Sequence, residues 1–117
     1  MSTHVPPFRL LEPALTVAEA LLARGFLADV AAALPDERAA AARLNAALTG
    51  SLRLQRNPWR LAADGDLATA ALGLALLVVV DGWRRLKRCE VCAAAFVDRT
   101  NGCSRRRCTV HRHLTRR

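Results

Sequence analysis

Residues 89–113 read CEVCAAAFVDRTNGCSRRRCTVHRH, and this stretch holds all four cysteines and two of the three histidines of a 117-residue chain. Cys89 and Cys92 form C-x2-C, ten residues follow, and Cys103 and Cys108 form C-x4-C. Two short-range thiolate pairs can close on one ion at little cost in loop entropy. Zinc, a d10 cation with no geometric preference of its own, accepts four tetrahedral thiolate or imidazole ligands. The spacing predicts one structural zinc held by Cys89, Cys92, Cys103 and Cys108. A second set stays open: Cys89, Cys92 and Cys108 with His111 give C-x2-C-x15-C-x2-H, which also suits zinc, and His113 competes for the same place. The segment's apolar residues are essentially Val91, Ala93 to Ala95, Phe96, Val97 and Val110. With so little to bury, metal affinity is expected to act as its folding energy.

Two blander readings fit the cysteines less well. Disulfides require an oxidising compartment, and the sequence carries no sign of export. A C-x-x-C redox pair normally ends a strand in a βαβ unit, and no such unit is legible here.

The stretch resembles the CGNR zinc fingers that follow ABATE domains in bacterial stress-response transcription regulators. The resemblance is carried by Arg85-Leu86-Lys87-Arg88-Cys89, by Cys92, by Phe96-Val97-Asp98-Arg99-Thr100 with Asn101, and by Cys103-Ser104 with Cys108. It departs where Thr109-Val110-His111 stands in place of Gly-Asn-Arg, where no Trp precedes Cys103, and in a loop several residues short between Asp98 and Cys103. The resemblance implies a treble-clef-like finger, in which a knuckle and short hairpin carry the first ligand pair and a basic helix carries or follows the second. It also implies DNA binding.

Charge agrees with an anionic partner. Residues 84–117 hold eleven Lys and Arg against Glu90 and Asp98, a balance of +9, which leaves −1 for residues 1–83. Such asymmetry points to nucleic acid met by the C-terminal third. Arg105, Arg106, Arg107, Arg112, Arg116 and Arg117 are the candidate contacts, since guanidinium forks bind phosphate bidentately. A solvated basic tail is the plain alternative. The chain has seventeen Arg and one Lys, a bias that coding rich in G and C also favours.

Ahead of the finger, residues 1–83 read as a mainly helical α+β domain with one β-hairpin, giving an α+β fold with the finger at 84–117. Thr16 and Glu19 have the spacing of a capping box for a helix from about Val17 toward Leu27, interrupted or ended near Gly25. Pro35 or Asp36 opens a second helix that runs to Leu48 or Thr49. Within it Leu44-Asn45-Ala46-Ala47-Leu48 resembles the L-N-x-x-L segment of ABATE domains. Period-two alternation around Arg56-Asn57-Pro58 reads as a hairpin burying Leu52, Leu54, Trp59 and Leu61. Asp66 is expected to cap a long core helix from Leu67 to about Trp83, apolar all round. Its apolar run is too short for the roughly 20 residues of a membrane span. Trp83 is expected to pack between core and finger. The expected core comprises Leu21, Leu22, Leu44, Leu48, Leu52, Trp59, Leu61, Leu72, Leu76 and Val79.

No nucleophile elbow, Gly-rich phosphate loop or H-E-x-x-H is present, so no enzyme is expected and no small-molecule substrate is identified. Residues 1–12 lack the basic start and apolar run of a secretory leader, which favours the cytoplasm. The expected function is a zinc-finger DNA-binding regulator whose N-terminal domain senses or forms a homodimer. The alternative is a non-enzymatic module that docks protein or RNA. Asp98, beside Thr100 and Asn101, is expected to make an Asx turn.

Overall fold

The computed structural model describes residues 5–50, 52–56 and 59–111. Helices α1 (Val5–Leu11), α2 (Ala14–Ala23), α3 (Ala28–Ala33) and α4 (Glu37–Ala47) precede a hairpin of β1 (Leu52–Gln55) and β2 (Arg60–Ala63). Helix α5 (Asp66–Asp81) follows, and a second hairpin of β3 (Leu86–Arg88) and β4 (Ala95–Val97) leads into the cysteine-rich end. The fold is α+β, and the described residues form two separate antiparallel two-stranded sheets. No helix among the described residues is long and apolar enough to cross a membrane.

Helix α2 begins three residues earlier than the capping-box spacing predicts. Thr16 lies inside the first turn, where its backbone N–H and hydroxyl both donate to Glu12, at 3.1 and 2.5 Å. Glu19 turns away to an ion pair with Arg99. At the other end Gly25, at φ 92°, donates to Leu22 O while Phe26 donates to Leu21 O, both at 3.0 Å. This is a Schellman closure, and glycine supplies the left-handed residue it requires. Helix α4 starts as its sequence implies, with the Asp36 carboxylate accepting from Ala39 N at 3.1 Å. Helix α5 is capped at Gly65 and draws no cap from the Asp66 side chain.

The main core lies between α2 and α5, with Leu15, Ala18 and Leu22 against Ala70, Ala71, Leu74 and Leu77, and with Val30, Ala40 and Leu44 closing one side. Gly73 sets the closeness of that crossing: a Cβ there would lie 2.5 Å from Ala14 O and 2.7 Å from Ala14 C. Both atoms are backbone, so relief requires the helices to part. Gly73→Ala is expected to cost about 3 kcal/mol, the upper range for overpacking and more than the gain in helix propensity returns. A urea titration checks this, and an unchanged midpoint would refute the crossing.

The same core continues past residue 83. Leu86, Ala95 and Val97 belong to one buried cluster with Leu15 and Leu74, and half-buried Trp83 packs against it. Arg85 is buried and ties the junction: it pairs with Asp81 and donates to Asp98 O and Thr100 O at 2.9 and 2.7 Å. Arg99 reaches back to Glu12 and Glu19 at 2.5 and 2.6 Å. Basic residues counted in the +9 balance of residues 84–117 here join two parts of one chain.

Several expected core residues lie outside the core. Leu21, Leu22, Leu44 and Leu72 are buried, and Leu48 and Leu76 are half-buried. Leu52, Leu54, Trp59, Leu61 and Val79 are exposed. The hairpin itself forms, with Leu54 opposite Leu61 and Leu52 opposite Ala63. Only its Ala63 end rests on α5, against Ala68 and Leu72, and the rest overhangs.

Candidate metal centre

The first ligand pair is placed by backbone geometry. Strands β3 and β4 pair Leu86 with Val97 and Arg88 with Ala95, and Cys89 N donates to Ala94 O at 2.8 Å to close the hairpin. Ala93 returns the chain at φ 65°, with its N–H on Cys89 O at 2.8 Å. This tight knuckle directs Cys89 and Cys92 to one side. Val91 N donates to Cys89 Sγ at 3.4 Å, which favours a thiolate there.

The second half is a turn, and among the described residues no helix follows Val97. His111 N donates to Cys108 O at 3.1 Å, bringing the imidazole back over Cys108. Cys92 Sγ lies 3.7 Å from Cys108 Sγ, and His111 Nδ1 lies 3.4 Å from Cys108 Sγ and 3.7 Å from Cys89 Sγ. All four donor atoms fall within 4.8 Å of one another. Zinc with ordinary bond lengths places tetrahedral ligands about 3.8 Å apart for two sulfurs and about 3.6 Å for sulfur and nitrogen. These three contacts match those edges and the widest pair is at most about 1 Å longer, so the cluster has the donor chemistry, and nearly the size, of a four-coordinate metal site.

The donors brought together are Cys89, Cys92, Cys108 and His111, the alternative set, and not the four cysteines. Cys103 stands apart: its backbone turns at φ 52° and its thiol faces Arg84 O at 3.6 Å. The reason is the loop between the pairs. Cys103 N donates to Thr100 O at 3.1 Å, and Asp98 and Lys87 hold the following backbone, so the chain passes the cluster before Cys108 reaches it. His113, Arg112, Arg116 and Arg117 lie outside the described residues.

Electrostatics at the cluster are those of crowded sulfurs. Burial pushes the Cys89 thiol up, but backbone hydrogen bonds from Cys108, Cys92 and Val91 outweigh it and bring it down to about 6. For Cys92 the Ala94 amide pulls downward, while desolvation and the sulfurs of Cys108 and Cys89 prevail and push it up. A divalent cation removes that mutual repulsion and allows all three thiolates at once.

A neighbouring buried network was missed at the sequence level. Asp98 is fully buried. Its Oδ1 accepts from Thr100 N and Oγ1 at 2.8 and 2.5 Å, the expected Asx turn. Its Oδ2 accepts from Lys87 Nζ at 2.7 Å and Arg105 N at 2.8 Å. The lysine also donates to Cys103 O and Arg105 O, each at 2.7 Å. Lys87 and Asp98 therefore fix the loop that delivers Cys108. The usable signal was the lone Lys among seventeen Arg.

Of the arginine triplet, Arg105 stacks over Phe96 at 4.8 Å and donates to Arg107 O at 3.0 Å. Arg107 pairs with Glu90 at 2.8 Å. Both turn inward, and Arg105 Nη2 and Arg107 Nε are buried without acceptors. Arg106 is exposed, as is Arg88. No family model, curated protein or solved structure matches the chain.

Proposed function

We propose that the cysteine-rich end is a structural zinc module that presents a basic surface to nucleic-acid phosphates, duplex DNA before RNA, and that the chain acts as a DNA-binding transcription regulator. The observation that carries the metal half is the set of donor distances at Cys89, Cys92, Cys108 and His111, which suit a closed tetrahedral site with no position left for substrate. When bound, zinc supplies cross-linking of knuckle and turn. The chain's own residues do the rest: the β3–β4 hairpin positions the first pair, and Lys87 and Asp98 position the second. The nucleic-acid half is supported by the +9 balance of residues 84–117 and by the resemblance to CGNR fingers behind ABATE domains.

Charge available for phosphate is smaller than the sequence count. Arg85, Lys87, Arg99 and Arg107 have buried or half-buried ion pairs within the chain, and Arg105 packs on Phe96. Arg84 is paired at the surface with Asp81. With four to six basic residues on duplex phosphates, log K against log salt should fall with a slope of about −4 to −5, at roughly −0.9 per contact. Arg106→Ala should lower that slope by about 1 with zinc retained. Arg105→Ala and Arg107→Ala should mainly affect folding. A base-reading regulator should prefer its own site on the order of a thousandfold over random DNA. A flat pool after selection of random duplexes, alongside a steep salt slope, would leave a phosphate binder and remove the regulator.

A further inference from the structure

The apolar pattern of residues 52–80 and its burial disagree, and the disagreement is confined to one face. In β1 and β2 the residues on one side are Leu52, Leu54, Leu61 and Ala63, by the register Leu52↔Ala63 and Leu54↔Leu61; Trp59, two before Leu61, shares their parity. On α5 the spacing of Ala68, Leu72, Leu76 and Val79 makes a single stripe. Ala63 covers the start of that stripe at Ala68 and Leu72. Beyond it the stripe emerges from under the hairpin, and Val79 is 82% exposed. Between hairpin and helices lies a cleft of about 280 Å³ whose walls include Leu10, Trp59, Leu61 and Leu76. The patch is therefore continuous and not a scatter of surface leucines, and continuous exposed apolar patches mark interaction sites.

We infer that this face is the interface for a second copy of the chain, with the β1–β2 hairpins and α5 stripes meeting about a two-fold axis. Area supports this occupant. At 43–82% exposure, Leu10, Leu52, Leu54, Trp59, Leu61 and Val79 together offer on the order of 700 Å² per protomer, close to the roughly 800 Å² per side of a stable interface. Charge supports it too. A two-fold axis brings each residue near its own copy, which penalises charge. The two ionic groups on the cleft wall are engaged within the chain, Glu12 with Arg99 and Arg60 with Gln55. Elsewhere the chain carries its +8 and would repel itself. The inference does not depend on the candidate metal cluster, whose donors Cys89 and Cys92 sit at the β3–β4 hairpin.

Sedimentation equilibrium on the full chain with zinc and a reductant tests it. The expected species is a dimer at twice the 12.7 kDa of one chain. Trp59→Arg should weaken dimerisation about thirtyfold or more, as central aromatic anchors do. Val79→Glu, on a side chain already in solvent, guards against misfolding and should also weaken it, with circular dichroism and zinc content unchanged in both. A wild-type monomer at 100 μM would overturn the inference, since the face then serves some other molecule. A dimer indifferent to both substitutions, or open-ended growth beyond two copies, would overturn it as well.

Discussion

Purified without metal-binding tags, the chain should carry one zinc, lose it in Cys108→Ser and in His111→Ala, and keep it in Cys103→Ser. The first and third outcomes follow from the geometry: Cys108 Sγ is 3.7 Å from Cys92 Sγ and 3.4 Å from His111 Nδ1, whereas Cys103 Sγ faces a backbone carbonyl. The second separates the two ligand sets that the spacing leaves open. Retention in His111→Ala together with loss in Cys103→Ser would restore the four-cysteine set and show that the loop rearranges on metal binding. Structural zinc in small finger peptides is worth about 10–16 kcal/mol, comparable with the whole stability of a domain. Its removal should therefore be felt beyond the knuckle. Leu86, Ala95 and Val97 share a core with Leu15 and Leu74, so chelation should loosen one wall of the α2–α5 core. Helical circular dichroism should persist at 25 °C while the thermal midpoint drops by about 10 °C or more. An unmoved midpoint would mean that residues 84–111 contribute nothing to that core.

Local chemistry was readable in the sequence. Asp36 caps α4, Gly25 ends α2, Asp98 makes its Asx turn, and alternation placed the β1–β2 hairpin, because each depends on residues a few positions apart. Competition between possible partners was not readable, whether the winning partner was near or far. Thr16 and Glu19 have capping-box spacing, but Glu12 caps Thr16 and Arg99, eighty positions away, takes Glu19. Periodicity marked Leu52, Leu54, Trp59 and Leu61 as a buried face without saying what buries them, and the chain's own helices cover only the Ala63 end. The ligand set was ambiguous for the same reason. Spacing permits Cys103 or His111, and the choice rests with a buried ion pair that fixes the intervening loop. Net charge misled about the arginines, since formal charge does not distinguish a phosphate contact from an inward fork such as Arg85 or Arg99.

That ion pair carries the largest single-residue effect expected away from the ligands. Lys87 Nζ has three protons and three acceptors, Asp98 Oδ2, Cys103 O and Arg105 O, each at 2.7 Å. A compact ammonium serves three acceptors converging on a point, and a planar guanidinium does not. This accounts for the one lysine in a chain that uses arginine everywhere else. Lys87→Arg should thus behave as a disruptive change, and Asp98→Ala should cost about 3 kcal/mol, the lower end for breaking a buried pair, because it leaves the half-buried lysine charge without its carboxylate. Asp98→Asn keeps shape and some hydrogen bonds and should cost less, about 1.5–3 kcal/mol. The acid limb supplies an independent check. Burial pushes the Asp98 carboxyl up, but donation by Lys87, Thr100 and Arg105 N outweighs it and holds it at about 2, below its ordinary 3.8. A depressed carboxyl stabilises the fold above its unfolded value and loses that stabilisation as pH falls toward the folded one. The contribution of about 2 kcal/mol should be complete above pH ~4 and gone by pH ~2. Urea midpoints of wild type and Asp98→Asn, compared at each pH so that the thiolate and metal contributions cancel, should converge across that window. Parallel curves from pH 6 to pH 2 would show that the carboxylate charge at Asp98 does not hold the loop.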